Sequence, residues 1–148
     1  MQVIDPSIFK AYDIRGVAGE NLTADVVEKI GRVLGSMAVE SGVGPVCVGR
    51  DGRLSGPELK GALIRGIAAA GADVYDIGMV PTPVLYFATK YFGSGSGVSV
   101  TGSHNPSRDN GLKLMLGGKT LFGPMIQDIR RRVESEEWSI ASKPGNVE

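Results

Sequence analysis

A chain of 148 residues is long enough for one domain with a hydrophobic core that needs neither disulfides nor a structural metal. Its formal net charge is zero, with 42% hydrophobic and 22% charged residues, which argues against nucleic acid or an anionic membrane as the main partner. No stretch is long and apolar enough to span a membrane, and Met1-Gln2-Val3-Ile4-Asp5-Pro6 has neither the basic nor the apolar region of a signal peptide, so the cytoplasm is the expected location.

The 22 glycines are about twice the average usage and predict many tight turns and close backbone approaches. Val26, Val27, Ile30, Val33, Leu34, Met37 and Ala38 recur at helical spacing and predict a helix over 23–41, with Thr23 as its N-cap and Gly42 as its stop. The apolar run 45–49 predicts a buried strand. It carries Cys47, which as a lone cysteine in such a run reads as an inert buried thiol. Ser55-Gly56-Pro57-Glu58 has the spacing of a capping box and predicts a second helix to about Ala70, with Leu59, Leu63, Ile64 and Ile67 inward and Gly71 past its end. Residues 73–77 predict a second strand. Thr82-Pro83 opens a third helix with Leu85, Ala88 and Phe92 on its apolar face.

The run Gly93-Ser94-Gly95-Ser96-Gly97 has a linker's composition, but it joins a helix to a strand at 98–101 and reads as a loop within the domain. Asn110-Gly111 reads as a turn that reverses the chain before a fourth strand at 112–116. Gly123-Pro124 opens a final helix with Met125, Ile126, Ile129 and Val133 on one face; Arg130, Arg131 and Arg132 read as its solvated face rather than as a phosphate cluster. The polar stretch 139–148 reads as a linker that follows a domain at 1–138. The alternation of strands and helices predicts an α/β fold: a mixed, mainly parallel sheet of about four strands sandwiched between helices, the last strand antiparallel and near an edge.

The loop Thr101-Gly102-Ser103-His104-Asn105-Pro106 puts a serine and the only histidine at a strand end. Loops at the carboxyl ends of strands are where open α/β sheets bind ligands. On composition alone the run is a surface turn. Three further stretches change that balance: Phe9-Lys10-Ala11-Tyr12-Asp13-Ile14-Arg15-Gly16, Gly49-Arg50-Asp51-Gly52-Arg53, and Asn110-Gly111-Leu112-Lys113. Together, in this order, the four resemble the N-terminal domain of the α-D-phosphohexomutases, from about Ile8 to Trp138. The forms of the serine loop and of the Tyr-Asp-Ile-Arg-Gly-Val opening are most similar to the bacterial phosphomannomutase/phosphoglucomutase branch.

The resemblance implies a phosphoserine at Ser103 that gives its phosphate to a hexose phosphate and recovers another from the bisphosphate so formed. It implies glucose 1,6-bisphosphate as intermediate or activator, and Mg²⁺ bound through the phosphate on Ser103. The family's aspartate-rich metal loop, sugar-recognition motif and second phosphate-binding loop are absent from the chain, so the remaining domains of the same enzyme are the expected partner and this segment alone is expected to be inactive. Lys113 and Arg15 are implied near the phosphoserine, and Tyr12, Arg15 and Lys113 at the substrate. Arginine almost never loses its proton, so charge stabilisation suits Arg15 better than general-base work.

Ser103 and His104 are unsuited to a hydrolase dyad, since adjacent residues on an extended segment point to opposite sides and no Gly-x-Ser-x-Gly elbow is present. His104 reads instead as a residue that orders the loop or contacts phosphate. Arg50, Asp51 and Arg53 read as an Arg–Asp pairing that holds neighbouring loops. A stand-alone regulatory module phosphorylated on Ser103 is one alternative. A nucleotide-binding domain is another, disfavoured by the lack of Gly-x-Gly-x-x-Gly and Walker-type sequences.

Overall fold

A computed structural model describes residues 4–102, 105–139 and 141–148. Its elements in chain order are β1 (Ile14–Val17), α1 (Ala24–Ser41), β2 (Val46–Arg50), α2 (Gly56–Ala69), β3 (Val74–Met79), α3 (Thr82–Tyr91), β4 (Ser96–Val100), β5 (Asp109–Leu116), β6 (Lys119–Thr120) and α4 (Pro124–Glu134). The sheet order is β1-β5-β4-β2-β3, with β6 paired to β5. Strand β2 runs parallel to both β3 and β4. Strand β5 runs antiparallel to β4, β1 and β6.

The expected layered α/β fold is present, and the strand after the serine loop is antiparallel as expected, but it starts at Asp109 and lies between β4 and β1 instead of at the edge. The sheet has six strands instead of about four. Strand β1 has one buried residue and no alternation, and β6 is two exposed residues, so neither carries a periodic signal. The parallel part is confined to β3, β2 and β4.

Helical periodicity decides which faces meet. Val26, Ile30 and Leu34 of α1, Leu63 and Ile67 of α2, and Ile126 and Ile129 of α4 pack in one core with Val46, Val48, Val98, Val100, Leu112 and Leu114 of the sheet. Helix α3 takes the opposite face, where Leu85 and Ala88 pack on Cys47. Cys47 therefore points away from Val46 and Val48, as strand alternation requires. Thr23 caps α1, its Oγ1 accepting from the Val26 N–H at 3.3 Å, and Gly42 ends the helix in the left-handed region at φ 66°. Among the described residues no helix is long and apolar enough to cross a membrane.

Two local expectations are corrected. Ser55 does not form a capping box: it is already in the helical region and makes no side-chain cap. Its Oγ instead accepts from Asn110 Nδ2 at 2.8 Å. Asn110-Gly111 is not a turn, since both residues lie inside β5. Asn110 is fully buried, and a buried amide is costly unless bonded, so its side chain is committed to Ser55 and to the Gly111 N–H. A Cβ at Gly111 would lie 2.5 Å from the Ile14 carbonyl oxygen, so the glycine serves the close approach of β1.

In the stretch expected as a linker, Val147 bridges Val74 in parallel along β3. The Asn146 carbonyl accepts from the Val74 N–H at 2.8 Å, and the Glu148 carbonyl from the Asp76 N–H at 2.8 Å. These bonds satisfy backbone groups that the outer edge of β3 would otherwise leave open.

Candidate anion-binding site at the strand ends

Parallel pairing of β2 with β4 sets Arg50 beside Val100, so the segments that follow leave the sheet side by side. The Asp51 N–H donates to the Val100 carbonyl at 3.0 Å. The Asp51 carboxylate then accepts from Thr101 Oγ1 at 2.8 Å and from the Gly102 N–H at 3.1 Å. It also accepts from the Arg53 N–H at 3.1 Å and from Arg53 Nε at 3.2 Å. Burial works to raise the Asp51 pKa, but the donors from Arg53, Thr101 and Gly102 outweigh it and hold the carboxyl below its ordinary value.

Arg53 continues the chain of contacts. Its Nη1 donates to the carbonyls of Pro106 at 2.7 Å and Asp109 at 3.1 Å, and its Nη2 to the carbonyl of Asn105 at 2.9 Å. A Cβ at Gly102 would run into the Arg53 guanidinium, so glycine is required for the two to lie together. The expected Arg–Asp pairing is thus Asp51 with Arg53, whereas Arg50 Nη1 donates to the Asp51 backbone carbonyl at 3.0 Å. Ser103 and His104 themselves lie outside the described residues.

A second feature comes from β1 and β5. Their antiparallel register sets Arg15 opposite Gly111 and Ile14 opposite Leu112, which brings Arg15 near Lys113. Lys113 is mid-strand, paired with Ser99 of β4, instead of just past a turn as the sequence suggests. Lys10, Ala11, Tyr12, Asp13, Arg15 and Lys113 line a cleft of about 420 Å³. The structure therefore brings Tyr12, Arg15 and Lys113 together, with Tyr12 74% exposed.

Asp13 Oδ1 accepts from Arg15 Nη2 at 3.4 Å and turns the guanidinium, yet Arg15 Nε is buried without a hydrogen-bond partner. Arg15 and Lys10 also line a neighbouring hollow that includes Asn105, whose Nδ2 is likewise buried and unpartnered. Lys10, Arg15, Lys113 and two buried orphan donors line the cleft and the hollow, against two carboxylates, Asp13 bonded to Arg15 and Asp109 in the hollow; a buried donor without an acceptor is costly until a ligand supplies one. Lys10 and Asn105 were not singled out from sequence, although both lie within the quoted motifs.

The opening motif is braced from elsewhere. Gln127 Nε2 of α4 donates to the Phe9 carbonyl at 3.2 Å, and the Gly123 N–H to the Ala11 carbonyl at 2.7 Å. Other groups fall outside the site. Arg130, Arg131 and Arg132 pair with Glu134, with Asp128 and Glu137, and with Glu40. Burial pushes the Cys47 thiol up to about 11, which suits an inert packing residue. Among the described residues no group of three or more His, Cys, Asp or Glu side chains is placed to hold a metal ion.

The chain is thus a layered α/β domain with side-chain bonds across its parallel strand ends and a cation-lined cleft beside them. Residues 6–139 match the family model for phosphoglucomutase/phosphomannomutase, alpha/beta/alpha domain I, and the chain belongs to that family. It is 50% identical over 147 residues to a phosphoglucomutase of Neisseria gonorrhoeae, covering 99% of this chain and 32% of that protein. It is 52% identical over 142 residues to a phosphomannomutase/phosphoglucomutase of Pseudomonas aeruginosa, covering 96% of this chain and 30% of that protein. A crystal structure of a phosphoglucomutase/phosphomannomutase family protein from Burkholderia thailandensis superposes with a TM-score of 0.92 at 49% identity, over 99% of this chain and 33% of that one. The chain spans about a third of the length of the curated relatives it matches. The resemblance read from the four motifs is borne out at the level of family and domain.

Proposed function

We propose that this chain is the phosphoserine domain of a cytoplasmic phosphomannomutase/phosphoglucomutase, with Ser103 carrying the phosphoryl group between the 1- and 6-positions of a hexose phosphate. The observation that carries the reading is the cleft of Lys10, Tyr12, Arg15 and Lys113, with Arg15 Nε buried and unpartnered. Phosphoryl transfer asks the protein mainly for positioning and for charge to balance the phosphate oxygens. Arg15, held by Asp13, offers a fixed donor. Lys113 and Lys10 offer mobile point charges, and Tyr12 a polar, aromatic edge for the sugar.

In the forward step the bond from phosphorus to the Ser103 oxygen breaks as a sugar hydroxyl oxygen bonds to phosphorus, the hydroxyl losing its proton and the serine oxygen gaining one. The glucose 1,6-bisphosphate or mannose equivalent then turns over and returns its other phosphate to Ser103. His104 contacts the phosphate or orders the loop. Mg²⁺ would supply neutralising charge at the phosphate on Ser103, and the described residues lack a cluster to complete its coordination. Those ligands, and the contacts that choose the sugar, belong to the remaining domains of the enzyme.

The test is intact-mass analysis and a coupled mutase assay on the full-length enzyme. One phosphoryl group mapped to Ser103, lost with almost all activity in Ser103→Ala at unchanged thermal stability, is the expected result. The 148-residue chain alone should show no turnover of glucose 1-phosphate or mannose 1-phosphate. Phosphate on another residue, or full activity in Ser103→Ala, overturns the proposal.

A further inference from the structure

The described residues on either side of Ser103 in sequence are gripped by one pair of side chains. Asp51 holds the incoming shoulder through Thr101 Oγ1 and the Gly102 N–H. Arg53 holds the outgoing shoulder through the carbonyls of Asn105, Pro106 and Asp109. The two grips are joined by the ion pair from Arg53 Nε to Asp51 Oδ2 at 3.2 Å. From this geometry we infer that Asp51 and Arg53 are positioning residues for phosphoryl transfer, a clamp on the residues that flank Ser103 in sequence. The inference rests on the proposed role of Ser103.

Chemistry favours positioning over substrate contact. Arg53 spends its fork on main-chain carbonyls of the loop, and only 14% of its side chain is exposed. Asp51 is an anion, which would repel a phosphate it touched directly. Neutralised by Arg53 and turned toward Thr101 and Gly102, it fixes the loop instead. A planar guanidinium reaches three carbonyls from one position, which a lysine ammonium on a flexible stem does not. Transfer between two oxygens depends steeply on their alignment, so a loosened loop slows the chemical step without weakening sugar binding.

The experiment compares Asp51→Asn, Arg53→Lys and Ser103→Ala in the full-length enzyme, by steady-state kinetics, thermal unfolding and amide hydrogen exchange. Arg53→Lys keeps the charge and removes the fork. Both clamp variants should lose tenfold or more in kcat with KM within twofold of the parent, and the Gly102, Asn105 and Asp109 amides should exchange at least tenfold faster while the amides of α1 and α2 do not. Should one variant fail to fold, the other decides. If Ser103→Ala is inactive yet both clamp variants keep the parent kcat, the clamp inference fails alone. It also fails if KM rises with kcat intact, or if activity falls only in step with the unfolded fraction. Activity in Ser103→Ala overturns the Ser103 reading and the clamp with it.

Discussion

Replacing Gly66 by alanine sets two known effects against each other. By helix propensity alone, alanine in place of an interior glycine stabilises by about 1 kcal/mol. At Gly66, however, an added Cβ would collide with the Glu28 carbonyl oxygen and lie 2.9 Å from the Arg32 nitrogen. Both are main-chain atoms of α1, so no rotamer change relieves the contact and the helices must move apart. The seam continues at Gly31, where a Cβ would lie 2.5 Å from the Leu63 carbonyl oxygen. Overpacking costs roughly 1–3 kcal/mol, and a backbone collision falls at the upper end. About 3 kcal/mol lost against about 1 gained leaves a net loss of about 2 kcal/mol. Gly61 in the same helix is the control, since a Cβ there meets only the mobile Arg65 Nη1 at 3.4 Å. In a chain of this size 1 kcal/mol moves Tm by about 2–4 °C. Gly66→Ala should therefore lower Tm by about 4–8 °C, while Gly61→Ala raises it by up to about 4 °C. Thermal unfolding followed by far-ultraviolet circular dichroism reads both. A Gly66→Ala chain as stable as the parent would refute the backbone-contact reasoning.

Arg15→Met and Lys113→Met in the full-length enzyme should each cost about a hundredfold in kcat, the scale of removing one preorganised charge-stabilising donor, with a much smaller loss of thermal stability; a coupled assay beside thermal unfolding separates the two, and stability falling in step with activity would make the residue structural. Asp51 gives a pH signature: its pKa is lowered in the folded chain, so its contribution to stability is complete above the unfolded value of about 3.9 and is lost as pH falls through the folded value below that. The stability gap between the parent and Asp51→Asn, from urea unfolding, should hold above about pH 5 and shrink below about pH 4. A gap unchanged down to pH 3 would show that the carboxylate charge does not matter.

What was legible in the sequence follows the range of the interaction that decides it. Thr23 and Gly42 bound α1 by contacts within a turn, and the periodicity of Val26, Ile30 and Leu34 reports a face that any packing partner would cover. Ser55 shows the opposite case. Its local spacing with Glu58 fits a cap, but its hydroxyl is taken by Asn110, 55 residues away, because burying that amide unbonded would cost more than an unmade cap. Asn110-Gly111 departs from its local signal for the same reason. A dipeptide typical of turns lies near the start of β5 because β1 needs a glycine to approach there. Strands β1 and β6 are too short to announce themselves and exist through β5.

The site divides along the same line. Tyr12, Arg15 and Lys113 sit in contiguous motifs, although only the β1–β5 register explains why they share a cleft. The acceptors of Arg53 at Asn105, Pro106 and Asp109 are hidden in principle, since they are backbone carbonyls and every residue type supplies one. The sequence reads an Arg–Asp pairing that holds neighbouring loops, but not which carbonyls the arginine takes. The trace it leaves is Gly102: the guanidinium occupies the space a Cβ would need, so the glycine beside Ser103 is fixed by an arginine from the neighbouring strand end. A glycine that looks like loop flexibility is here the opposite, the space that a packed guanidinium requires.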